Sequence, residues 1–84
     1  MREDDFEVYL RNTNLSENTI ASYKFAVKQY FGQFDTVTQK KLRDHKMWLS
    51  ESYKPKTVNL RIRAINCYLD SIGKGEWKLQ FVKV

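Results

Sequence analysis

The stretch KPKTVNLRIRAINCYLDSI, residues 54–72, decides between a strand and a helix for the C-terminal half of the chain. Apolar and polar side chains alternate over residues 58–63, as they do in a half-buried strand. The apolar positions then continue at helical spacing as far as Ile72, which is too long a run for an ordinary strand. Pro55 suits the first turn of a helix, and Gly73 suits the position just after its end. The stretch therefore predicts a helix from Pro55 to Ile72.

Three further segments toward the N-terminus show the same helical spacing. Ser16 is a good N-cap, and Leu15 and Ile20 are placed as a hydrophobic staple around it. Thr36 and Gln39 are spaced as a capping box for the following helix. The sequence therefore predicts an all-α protein, a small four- or five-helix bundle with an extended C-terminal segment. The expected helices lie near residues 4–12, 17–31, 38–52 and 55–72.

The inward positions of these helices define the expected core. Ile20 and Val27 on the second helix, and Ile65 and Leu69 on the fourth, share the apolar stripes and are expected to be buried. His45 falls on the inward side of the third helix, where we expect half-buried packing.

Length and composition limit the chain to one small domain. Its 84 residues, 42% of them hydrophobic, are enough for one packed core. His45 and Cys67 are the only histidine and cysteine, so an internal disulfide is excluded and we expect no metal site and no cofactor. The final stretch EWKLQFVKV has no closing turn. We expect a domain over residues 1–76 and a linker over residues 77–84 that leads toward another domain.

The sequence has no sign of a membrane segment or a targeting signal. It begins MREDDFEVYL, which is acidic where a signal peptide would be basic and then apolar. No apolar run approaches the roughly 20 residues that span a bilayer. We expect a cytoplasmic protein without a membrane partner.

The charge distribution favours a polyanionic partner. The formal net charge is +5, and residues 8–84 carry 14 basic and only 6 acidic side chains. A basic bias of this size in a small domain is typical of nucleic-acid binding, although many basic domains are simply well solvated.

A row of hydrogen-bond donors is predicted on the outward side of the fourth helix. Lys56, Asn59, Arg63 and Asn66 follow one another at helical spacing, opposite the apolar stripe. Side chains of these types bind phosphates and base edges, and helix N-termini bind phosphate. Together with the corresponding side chains of the second helix, they form the predicted DNA-binding set. That set is Asn18, Thr19, Ser22, Lys24, Lys28, Lys56, Thr57, Asn59, Arg63 and Asn66.

Two helix-opening patterns carry a resemblance to a known family. LSENTIASYKFAVKQYFGQF opens with Ser-x-x-Thr and has a tyrosine four residues on, and KPKTVNLRIRAINCYLDSI is a second such helix, which keeps the threonine as Thr57 but has Arg61 at the tyrosine position. The pair resembles the N-terminal core-binding domain of tyrosine recombinases, the integrases of phages and transposons. Lys54 departs from the pattern, because a capping serine often stands there. The resemblance implies a bundle sometimes called SAM-like, in which helices 17–34 and 55–72 cross and present their N-terminal halves to the major groove.

The resemblance also implies that the catalytic residues lie outside this chain, and it implies the partners of the chain. The catalytic tyrosine, arginines, lysine and histidines of that family lie on a C-terminal domain that would follow residue 84, so we expect no enzymatic activity here. The implied partners are double-stranded DNA, the catalytic domain of the same chain and other recombinase protomers on the DNA. The implied setting is the cytoplasm of a bacterium or of a phage-infected cell, with a role in DNA integration by a mobile element.

Two other functions remain open on the sequence. A SAM-like bundle can be a protein-interaction domain, in which an exposed Phe25 or Trp77 would contact the partner. Such a domain would be distinguished by a large apolar patch without a basic face. A helix-turn-helix repressor would need two helices joined by a tight turn, which the loops around GQFDTV and SYKPK match poorly.

Overall fold

Helices account for most of residues 2–84, the part of the chain that this computed structural model describes; side chains are described from Asp5 onward. No strand occurs within that part, so the predicted all-helical bundle is confirmed, and residues 58–63 are helical. The predicted helix ends are correct to within two residues. The elements are α1 (Arg2–Arg11), α2 (Glu17–Gln33), α3 (Gln39–Ser52), α4 (Pro55–Ser71) and a 3-10 turn (Gly75–Trp77).

The start of α2 follows the predicted capping pattern. The Ser16 hydroxyl accepts a hydrogen bond from the backbone N–H of Thr19, at 3.2 Å. Leu15 packs against the buried cluster that contains Ile20, so the predicted hydrophobic staple is present.

The predicted capping box of α3 is wrong by two residues. Thr38, not Thr36, is the N-cap, and its hydroxyl accepts a hydrogen bond from the backbone N–H of Lys41 at 3.1 Å. Thr36 has other contacts, because its carbonyl accepts a hydrogen bond from the Tyr30 hydroxyl at 2.8 Å. This contact holds the loop against α2, and half-buried Val37 packs onto the core. The helix can therefore begin only after Val37.

Both ends of α4 agree with the sequence. Pro55 occupies its first turn, and Lys54 provides no side-chain cap. At the other end Gly73 has a φ of +76°, the left-handed conformation that glycine adopts without a Cβ penalty. The N–H groups of Gly73 and Lys74 return to the carbonyls of Asp70 and Leu69, at 3.2 and 2.8 Å. These paired bonds form a Schellman motif, which ends the helix.

The core consists of two clusters that share α4. Each of the other three helices packs on α4, and the contact between α2 and α4 is the most extensive. The prediction that Ile20, Val27, Ile65 and Leu69 are core is confirmed. One cluster lies mainly between α3 and α4 and contains Tyr30, Leu42, Leu49, Val58, Ile62, Ile65 and Leu69. The other lies among α1, α2 and α4 and contains Phe6, Leu10, Ile20, Val27 and Tyr68.

His45 is fully buried, so the prediction of half-buried packing is wrong. Its ring stacks on Trp48 at 5.6 Å and meets the edge of Tyr30 at 5.2 Å. Nδ1 lies 2.9 Å from the side-chain oxygen of Gln33, which accepts a hydrogen bond if the neutral ring carries its proton on Nδ1. Nε2 is buried without a hydrogen-bond partner in the described chain. Protonation would place an unpaired N–H there, and burial accordingly lowers the pKa of His45 to about 4.

Truncating Ile65 should destabilise the protein strongly. Ile65 is only 2% exposed, and Ile65→Ala removes buried methyl groups and leaves a cavity between α3 and α4. We expect a loss of about 2 to 5 kcal/mol in the free energy of unfolding. Urea denaturation followed by tryptophan fluorescence measures it. Leu60→Ala on the exposed side of the same helix is the control, and equal losses in the two variants would contradict the packing described here.

Acid should destabilise the protein through His45. The unfolded chain binds this proton near pH 6.5, whereas the folded protein binds it only near pH 4, so a falling pH favours unfolding. The contribution is fully present above about pH 6.5 and is lost progressively toward pH 4. Between pH 7.5 and pH 5 the free energy of unfolding should fall by about 2 kcal/mol. His45→Leu should show a much smaller fall in parallel urea titrations, and identical pH profiles would contradict this account.

Candidate nucleic-acid interface

The predicted donor row of α4 is divided between two surfaces. Lys56 and Arg63 are exposed on the outward side, whereas Asn59 and Asn66 are half-buried and turn toward the C-terminal segment. The prediction of one continuous outward row is therefore wrong. Outward positions on a helix could be assigned only relative to the predicted core, and no sequence pattern indicated that another segment covers one side of α4.

The C-terminal tail, residues 77–84, is held to α4 by two asparagines. The side-chain amide of Asn66 donates to the carbonyl of Leu79 at 3.0 Å and its oxygen accepts from the Leu79 N–H at 2.8 Å. Asn59 makes the same pair of bonds with Val82, at 2.9 and 2.8 Å. Each asparagine thus satisfies both backbone groups of one tail residue, an arrangement that does not depend on the tail residue's side chain.

The spacing of the two asparagines matches that of the two tail residues. Asn59 and Asn66 are seven residues apart, about 10.5 Å along an α-helix. Leu79 and Val82 are three residues apart, about 9.3 Å along a polyproline II segment. The backbone of Lys78, with φ −56° and ψ 143°, is close to that conformation. One turn of the tail therefore lies beside two turns of α4, running in the opposite direction.

Apolar side chains complete the attachment of the tail. Trp77, Leu79 and Val82 pack against the cluster between α3 and α4, while Phe81 stays exposed. Trp77, Leu79 and Phe81 alternate along the sequence, but the tail turns with a period of three after Leu79, so Val82 and not Phe81 packs on the core. The segment predicted as a linker is extended, and it lies on the bundle.

The candidate residues of α2 differ in their availability. Asn18 and Lys28 are exposed, and Ser22 is half-buried. Half-buried Thr19 accepts a hydrogen bond from the Ser16 hydroxyl at 3.0 Å. Thr57, at the start of α4, is also half-buried.

Lys24 is already paired with a carboxylate. It forms an ion pair with Glu7 of α1, which also binds Arg11 at 2.9 Å. Hydrogen bonds from Lys24 and Arg11 hold the pKa of Glu7 below its usual value. Lys24 is therefore the least available cation of the predicted set.

Sequence reasoning missed Arg61. Its guanidinium carbon lies 4.8 Å from the ring centre of Phe25 on α2 and 5.5 Å from that of Tyr53. The side chain of Gln29 donates to the Tyr53 hydroxyl at 2.9 Å, which holds this ring in place. Aromatic rings orient a guanidinium and leave its charge uncompensated. No sequence signal could have found the cluster, because its members come from two helices and a loop whose contact depends on the fold.

Free cations gather on α2 and the first half of α4. Residues 18–34 and 52–69 contain no acidic side chain. No carboxylate among the described side chains lies within ion-pair distance of the cations there, apart from Lys24. These free cations are Lys28, Lys54, Lys56, Arg61 and Arg63. The cations elsewhere are divided: Arg11, Lys40, Lys41 and Lys78 form ion pairs, whereas Arg43, Lys46, Lys74 and Lys83 form none within the described side chains.

Comparisons with models of protein families, with curated proteins and with solved structures gave no match to this chain. None of the helices in residues 2–84 is both long and apolar enough to cross a membrane. The described side chains also contain no group of three or more histidine, cysteine or carboxylate residues placed to hold a metal ion.

Removing the Asn66 side chain should release the tail locally. In the native protein we expect slow amide hydrogen exchange at Leu79 and Val82, because an asparagine oxygen accepts each N–H. Asn66→Ala removes two hydrogen bonds of about 1 kcal/mol each, so exchange at Leu79 should accelerate by about tenfold or more. Asn66→Asp keeps the acceptor and loses the donor, and should have a smaller effect. Unchanged exchange at Leu79 in Asn66→Ala would contradict the docked tail.

Proposed function

We propose that this chain binds duplex DNA through the surface formed by α2 and the N-terminal half of α4. More specifically, we propose that it is the non-catalytic core-binding domain of a tyrosine recombinase, which clamps recombination-site DNA while a C-terminal domain performs strand exchange. The DNA-binding proposal rests on the charges of the surface. The assignment to recombinases rests on the resemblance of the two helix-opening patterns alone.

The free cations are the observation that carries the proposal. A cation already bound to a carboxylate gains little from a phosphate, because the existing pair must be broken first. Lys28, Lys56, Arg61 and Arg63 have no such pair within the described side chains. Phosphates can therefore bind to them and release counterions, which is the main source of DNA affinity.

The start of α4 adds a second kind of phosphate contact. No side chain caps this helix, so the N–H groups of its first turn remain available, and Lys54 and Lys56 flank them. An anion at this position also meets the positive end of the helix dipole. Arg61 lies one to two turns further on, held by Phe25 and Tyr53. We assign phosphate contacts to this end of α4 and to Lys28, and a groove contact to Arg63.

A protein-interaction domain is the second candidate. Exposed apolar side chains are spread over all four helices and the tail, with Val8, Phe25, Met47 and Phe81 on different elements. Phe25 additionally stacks on Arg61 and is part of the basic surface. Met47 lines an open cleft of about 510 Å³ between α3 and the tail, which is the place where a protein partner would dock.

Two substitutions should separate phosphate contacts from base reading. After selection of a preferred sequence from randomised duplexes, fluorescence anisotropy is measured over a range of salt concentrations. Lys28→Ala should weaken binding to all duplexes alike and lower the salt slope by about one unit. Arg63→Ala should cost about 1 to 3 kcal/mol, chiefly on the preferred sequence.

Lys40→Ala is the matched control for charge. Lys40 is exposed on α3 and pairs with Asp44 at 2.8 Å, so its removal changes the net charge equally but leaves the α2–α4 surface intact. It should reduce duplex affinity much less than Lys28→Ala. Equal effects of the two substitutions, or no duplex binding at low salt, would contradict the proposal.

A further inference from the structure

A second cleft lies beside the proposed DNA surface, on the opposite side of α4 from the Arg61 cluster. Its volume is about 470 Å³, and its walls come from the end of α1, the start of α2, the exposed side of α4 and the tail. The side chains used below are Tyr9, Tyr23, Arg63, Cys67 and Phe81. Asn66, Asp70 and Lys78 line the same cleft.

Several polar groups in this cleft have no partner in the protein. The hydroxyls of Tyr9 and Tyr23 and the guanidinium of Arg63 form no hydrogen bond or ion pair within the described side chains. Burial raises the pKa of Tyr23, and the nearby charge of Arg63 opposes part of that rise. Burial also raises the pKa of the Cys67 thiol, which therefore stays neutral. Arg63 is left as the uncompensated charge of a cleft that has three aromatic side chains in its walls.

The docked tail builds one wall of the cleft. Asn66 and Asn59 hold Leu79 and Val82, and between these two residues Phe81 faces outward at the cleft. Phe81 is 52% exposed although it is a large aromatic side chain. Lys78 lines the same wall and forms an ion pair with Asp70 at 2.8 Å. The position of Phe81 thus depends on the two asparagines, while its own ring remains without a partner.

We infer that this cleft holds an unpaired nucleobase of the bound DNA, with the base ring against the aromatic side chains and its phosphate on Arg63, whose side chain contacts the groove when the duplex is fully paired. Three aromatic rings and a single free cation suit a planar ring that carries one anionic group. Unstacked bases bind proteins by stacking on aromatic rings and on guanidinium planes. The phenol hydroxyls can donate to or accept from base edges. The inference rests on the proposed function, because binding along α4 is what brings DNA to the cleft.

The test compares two duplexes that differ by one unpaired thymine. Base stacking on an aromatic ring contributes about 1 to 3 kcal/mol, and an already unpaired base does not have to be extruded. The native protein should therefore bind the duplex with the extra thymine about tenfold more tightly than the fully paired duplex. Phe81→Ala should remove this gain and leave affinity for the paired duplex unchanged. Val84→Ala, a substitution of another exposed tail residue that lies outside the cleft, should keep the gain.

Cys67 provides an independent readout, because it is the only cysteine in the chain and lines the cleft. The duplex with the extra thymine should slow alkylation of Cys67 more than the paired duplex does. Equal affinities for the two duplexes, or a gain that survives Phe81→Ala, would overturn the inference while leaving duplex binding intact.

If neither duplex binds, the proposed function fails and the cleft is tested alone with thymidine monophosphate. NMR shift changes confined to residues around Tyr23, Arg63 and Phe81 would then support a nucleotide site. An absence of such shift changes would contradict the nucleotide site as well.

Discussion

Burial of α4 on most of its circumference is the constraint on which the rest of the structure depends. An 84-residue chain can bury only a limited apolar surface, and here both core clusters use the same helix. The contacts with α2, α3 and the tail leave a single exposed strip, on which Lys56, Leu60 and Arg63 lie. A ligand that contacts the exposed side of α4 does so along this strip, whereas Arg61 lies where α4 meets Phe25 of α2. The proposed function and the aromatic cleft therefore share Arg63 as a common element.

The two asparagines of α4 extend this constraint to the tail. An extended segment on a helical bundle has no neighbouring strand to satisfy its backbone groups, so side chains or water must do so. Asn59 and Asn66 supply both a donor and an acceptor to one tail residue each. The tail then covers part of the core and presents Phe81 beside Arg63. Asn59 and Asn66, which belong to the DNA-binding set predicted from the sequence, thus bind the backbone of the tail in the folded protein.

The sequence predicted local structure well and side-chain partnerships poorly. Helical spacing, Ser16, Pro55 and Gly73 fix helix type and boundaries through interactions within a few residues, and these were confirmed. The burial of His45, and the partners of Asn59, Asn66 and Arg61, depend on residues distant in the chain. Helical periodicity assigns a face to each side chain but does not say what covers that face. For the same reason the predicted DNA-binding set mixed available cations with residues that the fold itself uses.

The location of the proposed DNA contact, across α2 and the first half of α4, can be measured directly. Amide NMR spectra of isotope-labelled protein are recorded during titration with duplex DNA. The largest shift changes should fall within residues 17–28 and 54–63, and the amides of Leu79 and Val82 should stay protected in the complex. Shift changes concentrated on the outer face of α3, around Met47, would contradict DNA binding across α2 and α4.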